Sequence, residues 1–259
     1  MSEDPLAALV SRSVGGSVTD VVAEDLPHDG LTERKRLRFV RDGSASTAIF
    51  ERSAPGTAVE AQLVPFLARK TDHVPRVYSR GLPPPHASLG PWLLVEDVID
   101  RPSGCDDPLA LVRAKLAIER AVQGDVPALR ALGVPQVTPG ELVARVAPRF
   151  SADGAIVDAA LAAERLLSWP VALVHGDLRC SRVRLAERGA VLTGWRSAHL
   201  GCALLDIARL AADLRAHGRS PDAATALYMD ESGGPQDAEW LLDAETVDAL
   251  LREARASSN

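Results

Sequence analysis

The sequence predicts an α+β chain of two lobes, a small antiparallel sheet followed by a larger helical part, and three observations carry that prediction. Its 259 residues, 46% of them hydrophobic with a mean hydropathy of +0.01, are enough to bury a sizeable core. Between residues 17 and 52, apolar and polar residues alternate around turn signals. From about residue 108 the apolar residues recur instead at three-to-four spacing. The expected boundaries are 1–97 for the sheet-rich lobe and 98–259 for the helical lobe.

Each element has a local reason. Ser17–Val22, Arg36–Val40 and Thr47–Glu51 read as strands, the last two joined by Asp42-Gly43, a dipeptide that favours a tight hairpin turn. Thr57-Ala-Val-Glu60 has capping-box spacing and opens a helix towards Arg69, with Pro65 expected to kink it or end it early. Val74–Tyr78 and Trp92–Val95 resume the sheet across the turn-rich Gly81–His86, and residues 96–100 connect the lobes. Leu109, Leu111, Val112 and Leu116 mark one helix, and Ile156, Ala160, Leu161, Ala163 and Leu167 another. Val171–Val174 is a short buried strand, Val183–Leu185 with Val191-Leu192 a hairpin, and the rest is expected to be helix.

Composition excludes several classes. Lys+Arg 29 against Asp+Glu 35 leaves a net charge of −6, which provides no general basic field for nucleic acid or an anionic membrane. No basic leader, bilayer-length apolar run or nucleotide glycine fingerprint is found, and the expected compartment is cytoplasmic. Cys105, Cys180 and Cys202 are odd in number and lack C-x-x-C spacing, so neither a disulfide framework nor a structural zinc site is expected. Cys105 and Cys202 read as packing residues; Cys180, near two arginines, reads as a thiol biased towards thiolate. Only three lysines occur, Lys35, Lys70 and Lys115, so an essential lysine has few possible positions.

The chemistry concentrates in His175-Gly-Asp-Leu-Arg-Cys-Ser-Arg182, which directly follows the apolar strand. A hairpin, Thr193-Gly-Trp-Arg196 and Gly201-Cys-Ala-Leu-Leu-Asp206-Ile-Ala follow in turn. This order resembles the aminoglycoside phosphotransferase and choline kinase family of protein-kinase-like fold, with its H-G-D-x-x-x-x-N loop, I-D-W-E-like turn and G-x-x-x-x-D-L-A segment. The resemblance spans roughly residues 17–215 and includes Phe50-Glu51-Arg52 at the lysine strand, Glu60 on the following helix and Trp92–Asp97 at the hinge.

In an active member, the H-G-D aspartate orients the substrate hydroxyl, the asparagine and a later aspartate hold magnesium, and the lysine steadies the phosphates. The resemblance implies that Asp177 keeps the base position, His175 supports it and Asp206 braces the loop. It also implies departures: Arg182 stands at the asparagine position, Gly194 at the metal aspartate and Glu51, or Arg52 with a one-residue shift, at the lysine. Of the lysines, only Lys35 is placed where it could reach in to substitute.

Arginine offers donors, no acceptor and a permanent charge, so Arg182 repels rather than binds magnesium. With Arg179 and Arg196 it makes the former metal site cationic and suited to phosphate, sulfate or carboxylate. Glu51 and Glu60 repel a triphosphate, so one of them is expected to turn away or to pair with an arginine; Glu60 and Glu96 are further cleft residues.

The expected function is that of a pseudokinase binding an anionic small molecule or peptide, a nucleotide or a partner protein, or running a repurposed reaction. No resident cofactor or metal is expected, and neither nucleic acid nor membrane is an expected partner. The alternative is an active ATP- and Mg-dependent phosphotransferase of a small hydroxylated molecule or peptide, with an atypical phosphate clamp.

Overall fold

A computed structural model describes residues 5–27, 32–54, 59–83, 90–150, 154–234 and 237–256. The chain opens with α1 (Pro5–Val14), then β1 (Val18–Asp25), β2 (Thr32–Arg41), β3 (Ser44–Ser53), α2 (Val59–Leu67), β4 (Val77–Gly81) and β5 (Trp92–Glu96). The five strands form one antiparallel sheet in the order β1-β2-β3-β5-β4. Asp42 and Gly43 both have positive φ, 48° and 80°, as the two-residue hairpin turn requires. That turn pairs Arg41 with Ser44 and, counting back equally, Arg34 with Glu51.

Because side chains alternate along a strand, this register settles which residues face the cleft. Leu37, Phe39, Ala48 and Phe50 bury one face of the sheet against Val10 and Val14 of α1. Ile49, Leu93 and Val95 belong to the other face and to the main core. Helix α1 was not among the sequence expectations, although Leu6, Val10 and Val14 stand at helical spacing. Pro65 lies buried inside α2, which continues to Leu67 with Ala68 N–H still bonded to Val64 O at 2.9 Å. The helix therefore does not end at the proline; burial of its face outweighs one missing hydrogen bond. The capping partner Thr57 lies outside the described residues.

The helical part comprises α3 (Pro108–Val122), α4 (Val126–Ala131), α5 (Pro139–Val146), α6 (Gly154–Arg165), α7 (Leu204–Ala216), α8 (Asp222–Glu231) and α9 (Glu239–Ala256). Asp107 caps α3 through Ala110 N–H, and Thr138 with Glu141 forms a capping box on α5. Two small ribbons carry the site: β6 (Val171–Val174) pairs with β9 (His199–Cys202), and β7 (Val183–Ala186) with β8 (Gly189–Leu192). Strand β9 corrects the expectation of helix after the hairpin. All four of its residues are buried, so it has no alternation to betray it.

The cysteine expectation is also corrected. Cys105 and Cys180, separated by 75 residues in sequence, form a disulfide, which leaves Cys202 as the free thiol; burial pushes it up to about 12. An odd count is compatible with one bridge, and the partners meet only because the Asp177 loop folds onto the segment after β5. Among the described residues, no helix is long and apolar enough to cross a membrane.

Candidate active site

Strand β6 leads into His175-Gly176-Asp177, and the turn is shaped by what lies beneath it. Asp206, near the start of α7, accepts hydrogen bonds from the backbone N–H groups of His175 (2.6 Å) and Gly176 (2.9 Å). Its carboxylate is in turn held by Lys115 Nζ at 3.2 Å. His175 is fully buried, contacts Thr193 O through Nε2 at 3.0 Å and packs on Trp195 with ring centroids 4.7 Å apart. Burial lowers its pKa, so a neutral, loop-bracing imidazole fits its surroundings.

Gly176 is required by both space and conformation. It has φ +80°, and a Cβ there would lie 2.3 Å from Ser197 O. Gly176→Ala is therefore expected to cost more than about 2 kcal/mol in chemical denaturation. Gly133→Ala, at φ +82° with open space around it, should cost only about 1 kcal/mol. Equal losses at the two positions would show that the contact with Ser197 relaxes at no cost.

Asp177 is surrounded by cations. Arg179 and Arg182 reach its Oδ2 at 2.7 and 3.1 Å, while Arg255 and Arg209 approach Oδ1 at 3.5 and 3.6 Å. Burial raises its pKa, but the charges and hydrogen bonds of Arg179 and Arg182 outweigh burial and hold it below the ordinary range. Such a carboxylate is a poor proton acceptor. Arg209 and Arg255 were not among the candidate residues. Arg209 sits one helical turn after Asp206, a spacing readable on α7; Arg255 comes from the far end of α9, and no local signal announces it.

Arg182 also occupies the neighbouring turn. Gly194 has φ +78°, and a Cβ there would meet Arg182 Cδ and Nη1, each at 3.2 Å. The guanidinium therefore lies across the position from which the resemblance would draw a metal-binding carboxylate. Magnesium needs oxygen ligands, and here it would meet Arg182 and a residue without a side chain. Those two positions therefore supply none of the oxygen ligands that this ion needs.

On the sheet side, Glu51 faces the cleft and is paired with Arg34 at 2.7 Å. Arg52 points to the other face, its guanidinium 5.2 Å from the Phe50 ring centroid, which resolves the one-residue ambiguity. Lys35 also points away from the cleft, towards Asp25 (3.0 Å) and Glu33 (3.5 Å). The cation near the lysine position is thus Arg34 on β2, which sequence reasoning missed. Equal counting from the Asp42-Gly43 turn places it opposite Glu51, and that was the available signal.

Glu60 is buried and accepts the Trp195 backbone N–H at 2.6 Å, so it braces the Gly194 turn. Burial, and then the Glu51 charge, push its carboxyl up to about 7 against the pull of the Trp195 N–H, Arg196 and Arg34. Arg196 donates to Thr32 Oγ1 at 2.9 Å, joining the turn to β2. At the hinge, Glu96 is clamped by Arg188, with Nη1 at 2.7 Å, and by Arg76 N–H at 3.1 Å. Burial is the largest single influence and raises the Glu96 pKa, but the hydrogen bonds and charges of Arg188 and Arg76 together outweigh it and lower the value.

Two adjoining cavities result. One, of about 220 Å³, is lined by the apolar Ile49, Leu93, Val95 and Val98 and by charged residues that include Glu96 and Arg184, and it shares Arg34, Glu51, Glu60 and Arg182 with the other. The other, of about 290 Å³, is charged and brings Arg34, Arg182 and Arg196 together with Glu51, Glu60 and Asp177. An apolar slot beside a cluster of guanidinium groups can hold a flat or aliphatic body and an attached anion.

No protein-family model matches the sequence, and no curated protein matches it as a relative. Solved structures do. A macrolide 2'-phosphotransferase type I is 19% identical, with 98% of this chain and 91% of that one covered at a TM-score of 0.63. The aminoglycoside phosphotransferase APH(3'')-Id of Streptomyces rimosus, in complex with ADP and streptomycin, is 18% identical over 96% of this chain and 99% of that one, at 0.58. A choline/ethanolamine kinase family protein of Mesorhizobium loti is 14% identical over 97% and 83%, at 0.62. With two lobes, a hinge after β5 and the His175–Asp177 loop on the cleft floor, this chain has the protein-kinase-like fold that these phosphotransferases and the choline/ethanolamine kinase family protein share.

Proposed function

We propose that this kinase-fold chain binds an anionic small molecule or peptide, bearing phosphate or carboxylate, in the cleft between its lobes, and that it does so without magnesium. On this reading ordinary Mg-ATP phosphoryl transfer is lost. The observation that carries the reading is the position of Arg182, bonded to Asp177 and lying across Gly194. A guanidinium there neutralises the base and excludes a divalent cation while leaving Arg34 and Arg196 around the same cavity. Losing one electrostatic stabiliser typically costs about 3 kcal/mol of transition-state stabilisation, so three substituted contacts impair the usual mechanism severely.

Calorimetric titration with ATP and with inorganic phosphate, each with magnesium or with EDTA, tests this. Binding should be equal in both buffers and should weaken as salt rises. The double variant Arg182→Asn/Gly194→Asp should acquire magnesium-dependent ATP binding and bind phosphate less tightly. Aspartate tolerates a left-handed backbone better than most residues, and removing Arg182 frees the space it needs. Magnesium-dependent ATP binding by the unmodified chain would sink the reading.

One observation favours the active alternative. Arg34 places a fixed positive charge on β2, beside the strand where the lysine would stand, and so offers an atypical clamp for phosphates. If that reading holds, ATP-dependent phosphorylation of a hydroxylated acceptor should be measurable in the unmodified chain and abolished by Arg34→Ala.

A further inference from the structure

Behind the Asp177 loop, outside the cleft, four metal-ligating side chains from three segments converge. Cys105 lies in the turn Gly104–Asp106 that follows the hinge, and Cys180 begins the turn that closes the His175–Asp177 loop. Asp213 and His217 stand one helical turn apart at the end of α7. The ligand atoms of all four lie within 4.8 Å of one another. We propose that Cys105, Cys180, Asp213 and His217 form a binding site for one zinc ion when the two cysteines are reduced, and that the disulfide is the oxidised, metal-free form of the same site.

Two sulfurs, one imidazole and one carboxylate make a complete tetrahedral set for zinc, and sulfur with imidazole discriminates against magnesium and calcium. With bonds of about 2.0–2.3 Å, such a set has its ligand atoms about 3.3–3.8 Å apart. The ligands are already oriented by neighbouring groups, as zinc ligands usually are. Asp213 Oδ2 accepts the Cys180 backbone N–H at 2.8 Å, and His217 Nδ1 contacts Asp213 O at 2.8 Å. The cysteines are buried, Asp213 is half-buried and His217 is exposed, so an ion can enter from the His217 side. Sequence spacing hid the site because its sulfurs are 75 residues apart.

The chemistry balances with a low-molecular-weight thiol as reductant. The S–S bond accepts two electrons and two protons as two reductant thiols join in a disulfide of their own. Zinc then displaces both thiol protons to solvent. Bridge and metal alike tie the segment after the hinge to the Asp177 loop, which Ser103 Oγ also holds through Cys180 O at 3.3 Å. The reduced, metal-free chain lacks that tie.

The test uses the full chain, reduced with a phosphine and desalted without oxygen, then titrated with zinc alone against a chromophoric chelator. One ion per chain should bind, with a rise in Tm that the oxidised chain does not show. Cobalt(II) in its place should give thiolate charge-transfer and tetrahedral d–d bands. His217→Ala, at an exposed position where folding is not at risk, and Asp213→Asn should each weaken affinity by at least about tenfold. Three results would each overturn the proposal: no zinc bound by the reduced chain, a bridge that resists reduction in the folded state, or affinity unchanged in both variants.

Discussion

Lys115→Met is expected to destabilise the folded chain by roughly 3–5 kcal/mol at neutral pH, the range typical of breaking a buried ion pair from one side. Lys115 has no exposed surface. Its Nζ donates to Leu173 O at 2.8 Å, pairs with Asp206 at 3.2 Å and forms a short contact with Glu119, which also accepts from Tyr228 Oη at 3.1 Å. Methionine fills the volume but leaves two carboxylates buried without their cation. Burial by itself lowers the lysine pKa, and the opposing charges of Glu119 and Asp206 outweigh it, so the network keeps the group charged.

The damage should reach the site, because Asp206 is the acceptor for the His175 and Gly176 N–H groups. Denaturant unfolding measures the loss. It should be smaller at pH 5 than at pH 8, since the unpaired carboxyls can then take up protons. Lys115→Met/Glu119→Gln should recover part of it. A loss below about 1 kcal/mol would mean that water enters and solvates the pair.

Glu60 should make the protein less stable as pH rises from about 5 to about 8. Its carboxyl, ordinarily near 4.5, is pushed up to about 7 by burial and by the Glu51 charge. Between those values the folded chain holds a proton that the unfolded chain has released, so raising the pH favours unfolding. A shift of this size corresponds to at most about 3 kcal/mol, fully expressed above pH 7 and absent below 4.5. Glu60→Gln keeps a carbonyl oxygen for the Trp195 N–H and carries no charge. It should flatten this part of the stability profile and be the more stable protein at pH 8. Parallel profiles for the two proteins would show that Glu60 ionises normally.

Much of this architecture is readable from short-range rules. Alternation and the Asp42-Gly43 turn specify the β2–β3 hairpin down to its register, and with it which face Glu51 occupies and which cation opposes it. The same turn makes Arg34 legible, although attention to the lysine strand alone passes over it. The His175-Gly176-Asp177 loop and Asp206 are recognisable through their resemblance to a family motif, and the structure shows the physical link: Asp206 accepts the Gly176 N–H, and the positive φ of Gly176 shapes the turn above it.

Other features exist only once the helices dock. Lys115 looks like a surface residue of α3 until β6 and α7 bury it, and a charge on a helix carries no local sign of the partner it will meet. Arg255 reaches Asp177 from 78 residues away and Cys180 finds Cys105 across 75, distances over which periodicity says nothing. The sequence by itself determined the sheet-rich and helical parts and their order, since turn chemistry and side-chain period act within a few residues, while the place of the His175–Asp177 loop was implied by its resemblance to a known motif. Tertiary structure alone decided that Asp177 is enclosed by four arginines and that Arg182 fills the space beside Gly194, because those contacts depend on how separate elements pack.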